Sequence, residues 1–160
     1  MGNSWYPLSF LAPIDSNQPY LDSALRVVEN LVTGLIARSV LSNQIIFLGF
    51  SQGACLTLEF IARNPRRYGG VIGLAEGLIG PPGTSREYSG FLEGTPVFLG
   101  ASDPDPHVPF ERVRESEEVL SRMGARIELR RYPGMEHTII SDEIAASRTL
   151  IRNAVAERRK

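Results

Sequence analysis

Apolar residues recur at Leu21, Ala24, Leu25, Val28, Leu31, Val32, Leu35, Ile36 and Val40. That spacing lines one face of a helix, with Asp22 or Ser23 placed to cap its start. Residues 45–50 follow as a short apolar run without polar alternation, which predicts a strand covered on both faces, as in a parallel sheet. Residues 52–63 have the length and apolar content of a buried helix, and Pro65 ends it. Residues 70–75 and 96–100 predict two more buried strands. Between them, residues 76–94 hold Gly77, Gly80, Pro81, Pro82, Gly83, Gly90 and Gly94 and read as a long loop. Residues 109–123 form an amphipathic helix through Phe110, Val113, Val119, Leu120 and Met123, closed by Gly124. In residues 126–132, Ile127 and Leu129 alternate with Arg126, Glu128 and Arg130, the pattern of an edge strand with one exposed side. A last helix spans 142–157 through Ile144, Ile151, Ala154 and Val155. Residues 1–20 contain several prolines, show no period and read as irregular.

This alternation of strand and helix predicts a three-layer α/β fold around a mainly parallel sheet. No repeat or linker divides it, so residues 1–160 read as a single domain. With 160 residues, 42% of them hydrophobic and 22% charged, the chain can bury a core. Seventeen Lys and Arg against eighteen Asp and Glu leave a net charge of −1, which points to neither nucleic acid nor an anionic membrane as an obligate partner. The apolar runs are too short to span a bilayer, and no basic start followed by an apolar stretch marks a secretion signal. A cytoplasmic protein is expected. The lone Cys55 closes no intrachain disulfide, makes a poor start for a metal site and reads as core filler. The charged stretches 112–118 and 157–160 read as solvated helix faces.

The candidate chemistry centres on Gly49-Phe50-Ser51-Gln52-Gly53. A bare G-x-S-x-G pattern is weak, but here it joins a buried strand to a buried helix, the setting of a nucleophile elbow. Such a turn is tight enough to favour glycine at both Gly49 and Gly53. It exposes the Ser51 hydroxyl and offers the Gln52 backbone N–H to a developing oxyanion. A serine nucleophile needs a base, and the base needs an orienting carboxylate. Two histidines exist, and both follow strands, where parallel sheets place their chemistry. His107 sits two residues from Asp105 in a proline-stiffened loop, so His137 is the better base. The acid is Asp105 or Asp103.

Three stretches together, Gly49-Phe50-Ser51-Gln52-Gly53-Ala54, Asp105-Pro106-His107-Val108-Pro109 and Gly134-Met135-Glu136-His137, resemble the phospholipase/carboxylesterase family of α/β-hydrolases, which includes the acyl-protein thioesterases. Their order matches that family, with spacings of 54 residues from Ser51 to Asp105 and 32 from Asp105 to His137. Ser4-Trp5-Tyr6 and the first helix also look like its segment ahead of the elbow strand. The resemblance implies Ser51 as nucleophile, Asp105 as acid and His137 as base, with no metal or organic cofactor. It also implies an α/β-hydrolase-like sheet lacking the family's N-terminal strands. The family's early His-Gly-x-Gly loop, which gives a second oxyanion donor, has no counterpart after Met1-Gly2-Asn3. The chain therefore reads as an N-terminally truncated member.

The expected activity is hydrolysis of a short-chain acyl ester, a thioester or a lysophospholipid through an acyl-enzyme on Ser51. The competing reading is a catalytically impaired remnant acting as a self-associating module. A cysteine hydrolase of the same fold is disfavoured because serine occupies the elbow. Trp5, Phe10 and Leu78 are candidates for an acyl wall, with core packing the commoner role for such residues. Without flanking strands, residues 45–50 become an open edge, shielded in part by residues 5–12, and the chain is expected to pair with a second copy.

Overall fold

The computed structural model describes residues 4–157, so Met1, Gly2, Asn3 and the end of the 157–160 charged stretch lie outside the described residues. The elements run in order as α1 (Tyr20–Ala37), β1 (Ile46–Phe50), α2 (Gln52–Arg63), β2 (Gly70–Leu74), β3 (Pro96–Asp103), α3 (Phe110–Arg122), β4 (Arg126–Pro133) and α4 (Ser141–Glu157). The strands form one sheet in the order β1-β2-β3-β4, every pair parallel. Alternate side chains leave its two faces. Val71, Val97 and Leu99 join a core with Leu21, Leu25, Phe60, Ile61, Val113 and Leu120 of the first three helices. Ile72, Leu74 and Phe98 meet Ala146 and Leu150 of α4 on the other face. Helices cover both sides of a parallel sheet, which is the three-layer α/β architecture expected.

Local departures have physical reasons. The first helix starts at Tyr20, ahead of Asp22 and Ser23, with Pro19 at its cap and no side-chain cap hydrogen bond. Proline suits that place because early helix N–H groups lack partners in any case. Asp22 instead accepts a hydrogen bond from the Gln18 side chain at 2.9 Å. Residues 1–20 are not wholly irregular: Ile14–Asn17 is a 3₁₀ turn, and Asn17 is buried. The third strand continues past Gly100 to Asp103, because pairing with β4 runs on to Asp103 and Pro133.

The 76–94 segment has no helix or strand, but residues 76–80 are buried. A buried loop must have its backbone groups satisfied. Here charged side chains of α2 and α3 do so. Arg112 donates to the Leu78 carbonyl at 3.0 Å and the Gly80 carbonyl at 2.6 Å. The Ser116 hydroxyl accepts the Leu78 N–H at 2.8 Å, and Glu59 accepts the Ile79 N–H at 3.1 Å. Arg112 is 4% exposed, which corrects the expectation that 112–118 is a solvated face. Glu76 lies over Gly73, where a Cβ would come within 3.0 Å of its side chain. Burial, then the nearby Glu143, pushes the Glu76 carboxyl well above the usual carboxylate range, so it favours the neutral acid.

The two faces of β1 are packed unequally. Phe47 meets the rings of Phe60 and Tyr68 at centroid distances of 5.7 and 5.1 Å. Leu48, on the opposite face, is 58% exposed, because α4 crosses β2 and β3 instead. The expectation of cover on both faces fails there. Among the described residues β1 is also an edge of the sheet. The start of the described chain is tied to the first turn of α2 through Gln52.

Candidate active site

The turn between β1 and α2 places Ser51 at φ 51° and ψ −122°, a left-handed conformation that costs a non-glycine residue of order 1–3 kcal/mol. Neighbouring strand and helix hold it there. Ser51 N–H donates to the Leu74 carbonyl at 2.8 Å, and the Ser51 carbonyl accepts the N–H groups of Ala54 and Cys55 at 2.9 and 3.0 Å.

The two flanking glycines differ. A Cβ on Gly49 would lie 2.6 Å from the backbone of Ala54, so the turn closes only without one. A Cβ on Gly53 would meet nothing nearer than the Trp5 indole nitrogen at 3.6 Å, an ordinary contact. The steric demand expected of both positions therefore falls on Gly49 alone. Gly49→Ala is expected to cost about 1–3 kcal/mol by overpacking. Gly53→Ala, inside a helix, is expected to gain about 0.5–1 kcal/mol. Thermal melts of the two variants check this, and equal losses would contradict it.

His137, in the loop after β4, brings Nε2 to 2.9 Å from Ser51 Oγ and Nδ1 to 2.7 Å from Asp105 Oδ2. Adjacent parallel strands make this meeting possible, since the loops after β3 and β4 leave the sheet at the same end. The imidazole is flanked by the Phe50 ring at 5.0 Å and the His107 ring at 4.9 Å. Asp105 Oδ1 accepts the His107 and Val108 N–H groups at 2.7 and 2.9 Å, and Oδ2 accepts the Ser102 hydroxyl at 2.9 Å. Burial works against its charge, but the bonds from His137, those two N–H groups and Ser102 together hold the carboxyl below the usual range. Asp103 turns away to pair with Arg131, whose guanidinium lies 5.1 Å from the centre of the Phe110 ring. His107 serves Asp105 through its backbone while its ring stays exposed.

Gln52 opens α2, so no carbonyl of its own helix takes its backbone N–H. Beside it a cavity of about 190 Å³ is lined by Ser51, Cys55, His107, Val108 and the segment from Tyr6 to Phe10. Phe10 thus reaches the cavity. Leu78 is fully buried in the core, and Trp5 does not line the cavity. Burial pushes the Cys55 thiol up to about 12, so it sits beside Ser51 as an inert thiol. A larger groove of about 520 Å³ runs between α4 and the starts of β3 and β4, at the far end of the strands from Ser51.

A hydroxyl bonded to an imidazole, itself bonded to a carboxylate, can pass a proton from serine to histidine while the carboxylate fixes the tautomer. Sequence reasoning missed Ser102, because the third strand was expected to stop before it. It also missed the Phe50 ring on His137 and the Tyr6–Leu8 part of the cavity wall, for which the irregular N-terminal stretch carries no periodic signal.

Residues 1–155 match the family model described as phospholipase/carboxylesterase. The chain is 30% identical over 142 residues to an acyl-protein thioesterase 1 of Saccharomyces cerevisiae, covering 84% of this chain and 60% of that protein. It is 28% identical over 149 residues to the carboxylesterase SOBER1 of Arabidopsis thaliana, covering 88% of this chain and 63% of that one. It thus spans about three fifths of the length of these curated relatives. Among solved structures, a phospholipase/carboxylesterase from Dyadobacter fermentans superposes with a TM-score of 0.90 at 49% identity, covering 94% of this chain and 72% of that one.

Proposed function

The chain belongs to the phospholipase/carboxylesterase family, and from that premise we propose that it is a serine hydrolase of carboxylic esters. The observation that carries this reading is the unbroken hydrogen-bonded chain from Ser51 through His137 to Asp105 at the strained elbow. Ser51 Oγ attacks the acyl carbonyl and gives its proton to His137 Nε2, while the ionised Asp105 holds the imidazolium. The carbonyl oxygen, now an anion, takes the Gln52 N–H. Collapse expels the alcohol or thiol, which leaves with the proton from His137. Water then enters, gives a proton to His137 as its oxygen attacks the acyl carbonyl, and His137 returns that proton to Ser51 Oγ as the acid departs. These steps use side chains, one peptide N–H and water.

The cavity bounds the acyl group. At about 190 Å³ it is somewhat larger than the roughly 150 Å³ cavity that accepts a benzene molecule. A short acyl chain on an oxygen or sulfur leaving group fits that space. The test is hydrolysis of nitrophenyl acetate and butyrate by the purified chain. Turnover above buffer supports the reading, and turnover equal to buffer on folded protein contradicts it. The expected cytoplasmic setting belongs to the same proposal, with Cys55 free and buried; no helix among the described residues is long and apolar enough to cross a membrane.

A second reading, a self-associating module, is favoured by the open side of β1. Leu48 stands exposed beside the outer backbone groups of an edge strand, and α4 exposes Ile144, Ile151 and Val155. Unpaired strand edges with apolar side chains pair readily with another chain. We propose a two-fold dimer through β1, compatible with either function. Light scattering at micromolar concentration should give a dimer for the wild type and a monomer for Leu48→Lys, since an edge lysine opposes strand addition. A wild-type monomer would contradict the dimer.

A further inference from the structure

Gln52 has a side chain as well as a peptide N–H, and the mechanism above leaves the side chain unused. Its Oε1 accepts the Trp5 N–H at 2.7 Å, and its Nε2 donates to the Tyr6 carbonyl at 2.8 Å. A neutral amide accepts through its oxygen and donates through its nitrogen at once. The two bonds tie the first turn of α2 to a segment 46 and 47 residues earlier in the chain.

The tied segment runs straight into the cavity wall, where Tyr6, Leu8, Ser9 and Phe10 face Ser51. Its far end has anchors of its own. Asn17 accepts the Leu8 N–H at 2.9 Å and donates to the Ser9 carbonyl at 3.1 Å. The Phe10 carbonyl accepts the Gly80 N–H at 2.7 Å. Near the elbow, Gln52 supplies both hydrogen bonds to the Trp5 and Tyr6 backbone. The strap is therefore fixed at its far end by Asn17 and at its near end by the buried Tyr6 ring and by the residue whose own N–H opens α2 beside Ser51.

We propose that the Gln52 side chain is a positioning group that couples the strap from Tyr6 to Phe10 to the oxyanion donor, setting the distance between the cavity wall and Ser51. This rests on the hydrolase reading for its kinetic part alone. Losing the amide loosens the Trp5 and Tyr6 backbone, while the buried Tyr6 ring and the far anchors remain. The wall then gives way under an acyl chain long enough to touch it. Acetate, with two carbons fewer, presses on that wall less and is affected less.

Two variants test this. Gln52→Ala removes the amide, and Gln52→Met keeps similar bulk without either bond. Both should raise KM for nitrophenyl butyrate about tenfold, the scale of a lost hydrogen bond, a larger change than the one in kcat. KM for nitrophenyl acetate should rise by a smaller factor than KM for butyrate. An independent reading comes from Trp5, the chain's one tryptophan, which sits over Gly53 and is half-exposed. In a Ser51→Ala background, where no catalysis is needed, both variants should raise acrylamide quenching of Trp5 fluorescence about twofold. Quenching unchanged in both variants would overturn the strap's attachment, whether or not the wild type hydrolyses esters. Changed quenching with unchanged KM for butyrate, in an active wild type, would overturn its role in positioning. Wild-type behaviour of Gln52→Met, or loss of folding by circular dichroism in both variants, would also overturn the proposal.

Discussion

Ser51→Ala is expected to lower nitrophenyl ester turnover by on the order of 10⁴–10⁶, while leaving the thermal melt within about 1 kcal/mol of wild type. The size of the loss follows from the division of labour. Without Oγ there is no acyl-enzyme, and His137 is left hydrogen-bonded to Asp105 with nothing to activate. The small effect on stability follows from the backbone, since the bonds that hold the turn come from the Ser51 N–H and carbonyl, which alanine keeps. Turnover near wild type would remove Ser51 from the chemistry.

The second large effect separates two aspartates two residues apart. Asp105→Asn should reduce kcat by on the order of 10⁴, because an amide facing His137 Nδ1 favours the wrong imidazole tautomer. Asp103→Asn should change kcat less than about threefold, since Asp103 pairs with the exposed Arg131, and such surface pairs contribute little. Steady-state rates on one ester decide it, and equal losses would reassign the acid. Stability carries a matching signature. The Asp105 carboxyl titrates below its usual range when folded, so the stability from its bonds is present above the unfolded value, near 3.9. That stability is lost as pH falls through the lower folded value. Asp105→Asn should flatten this acid limb of the melt.

The parallel sheet was legible because runs such as Gly70–Leu74 are apolar without alternation, which a strand buried on both faces requires. The elbow was legible because a G-x-S-x-G pattern fell between such a strand and a helix. Side-chain networks were less so. A charged stretch such as 112–118 looks like a solvated face in any periodic reading, yet Arg112 is buried because the 76–80 loop needs donors for its carbonyls. That need arises from tertiary packing and leaves no local trace. The choice between Asp103 and Asp105 is likewise a matter of which carboxylate the end of β3 turns toward His137. The family pattern supplied it, and spacing alone did not. Gln52 marks the same boundary: its place after Ser51 suggests an oxyanion N–H, while its side-chain bonds to Trp5 and Tyr6 depend on where a segment without periodicity comes to rest.

The most direct measurement of the central claim is covalent labelling of the purified chain with a fluorophosphonate probe, followed by mass spectrometry of its peptides. An activated serine displaces fluoride from phosphorus, whereas an ordinary surface hydroxyl does not. The account predicts one adduct, on Ser51, absent from His137→Ala and absent when the protein is unfolded before the probe is added. Folded protein left unlabelled, or labelled at another residue, would contradict it.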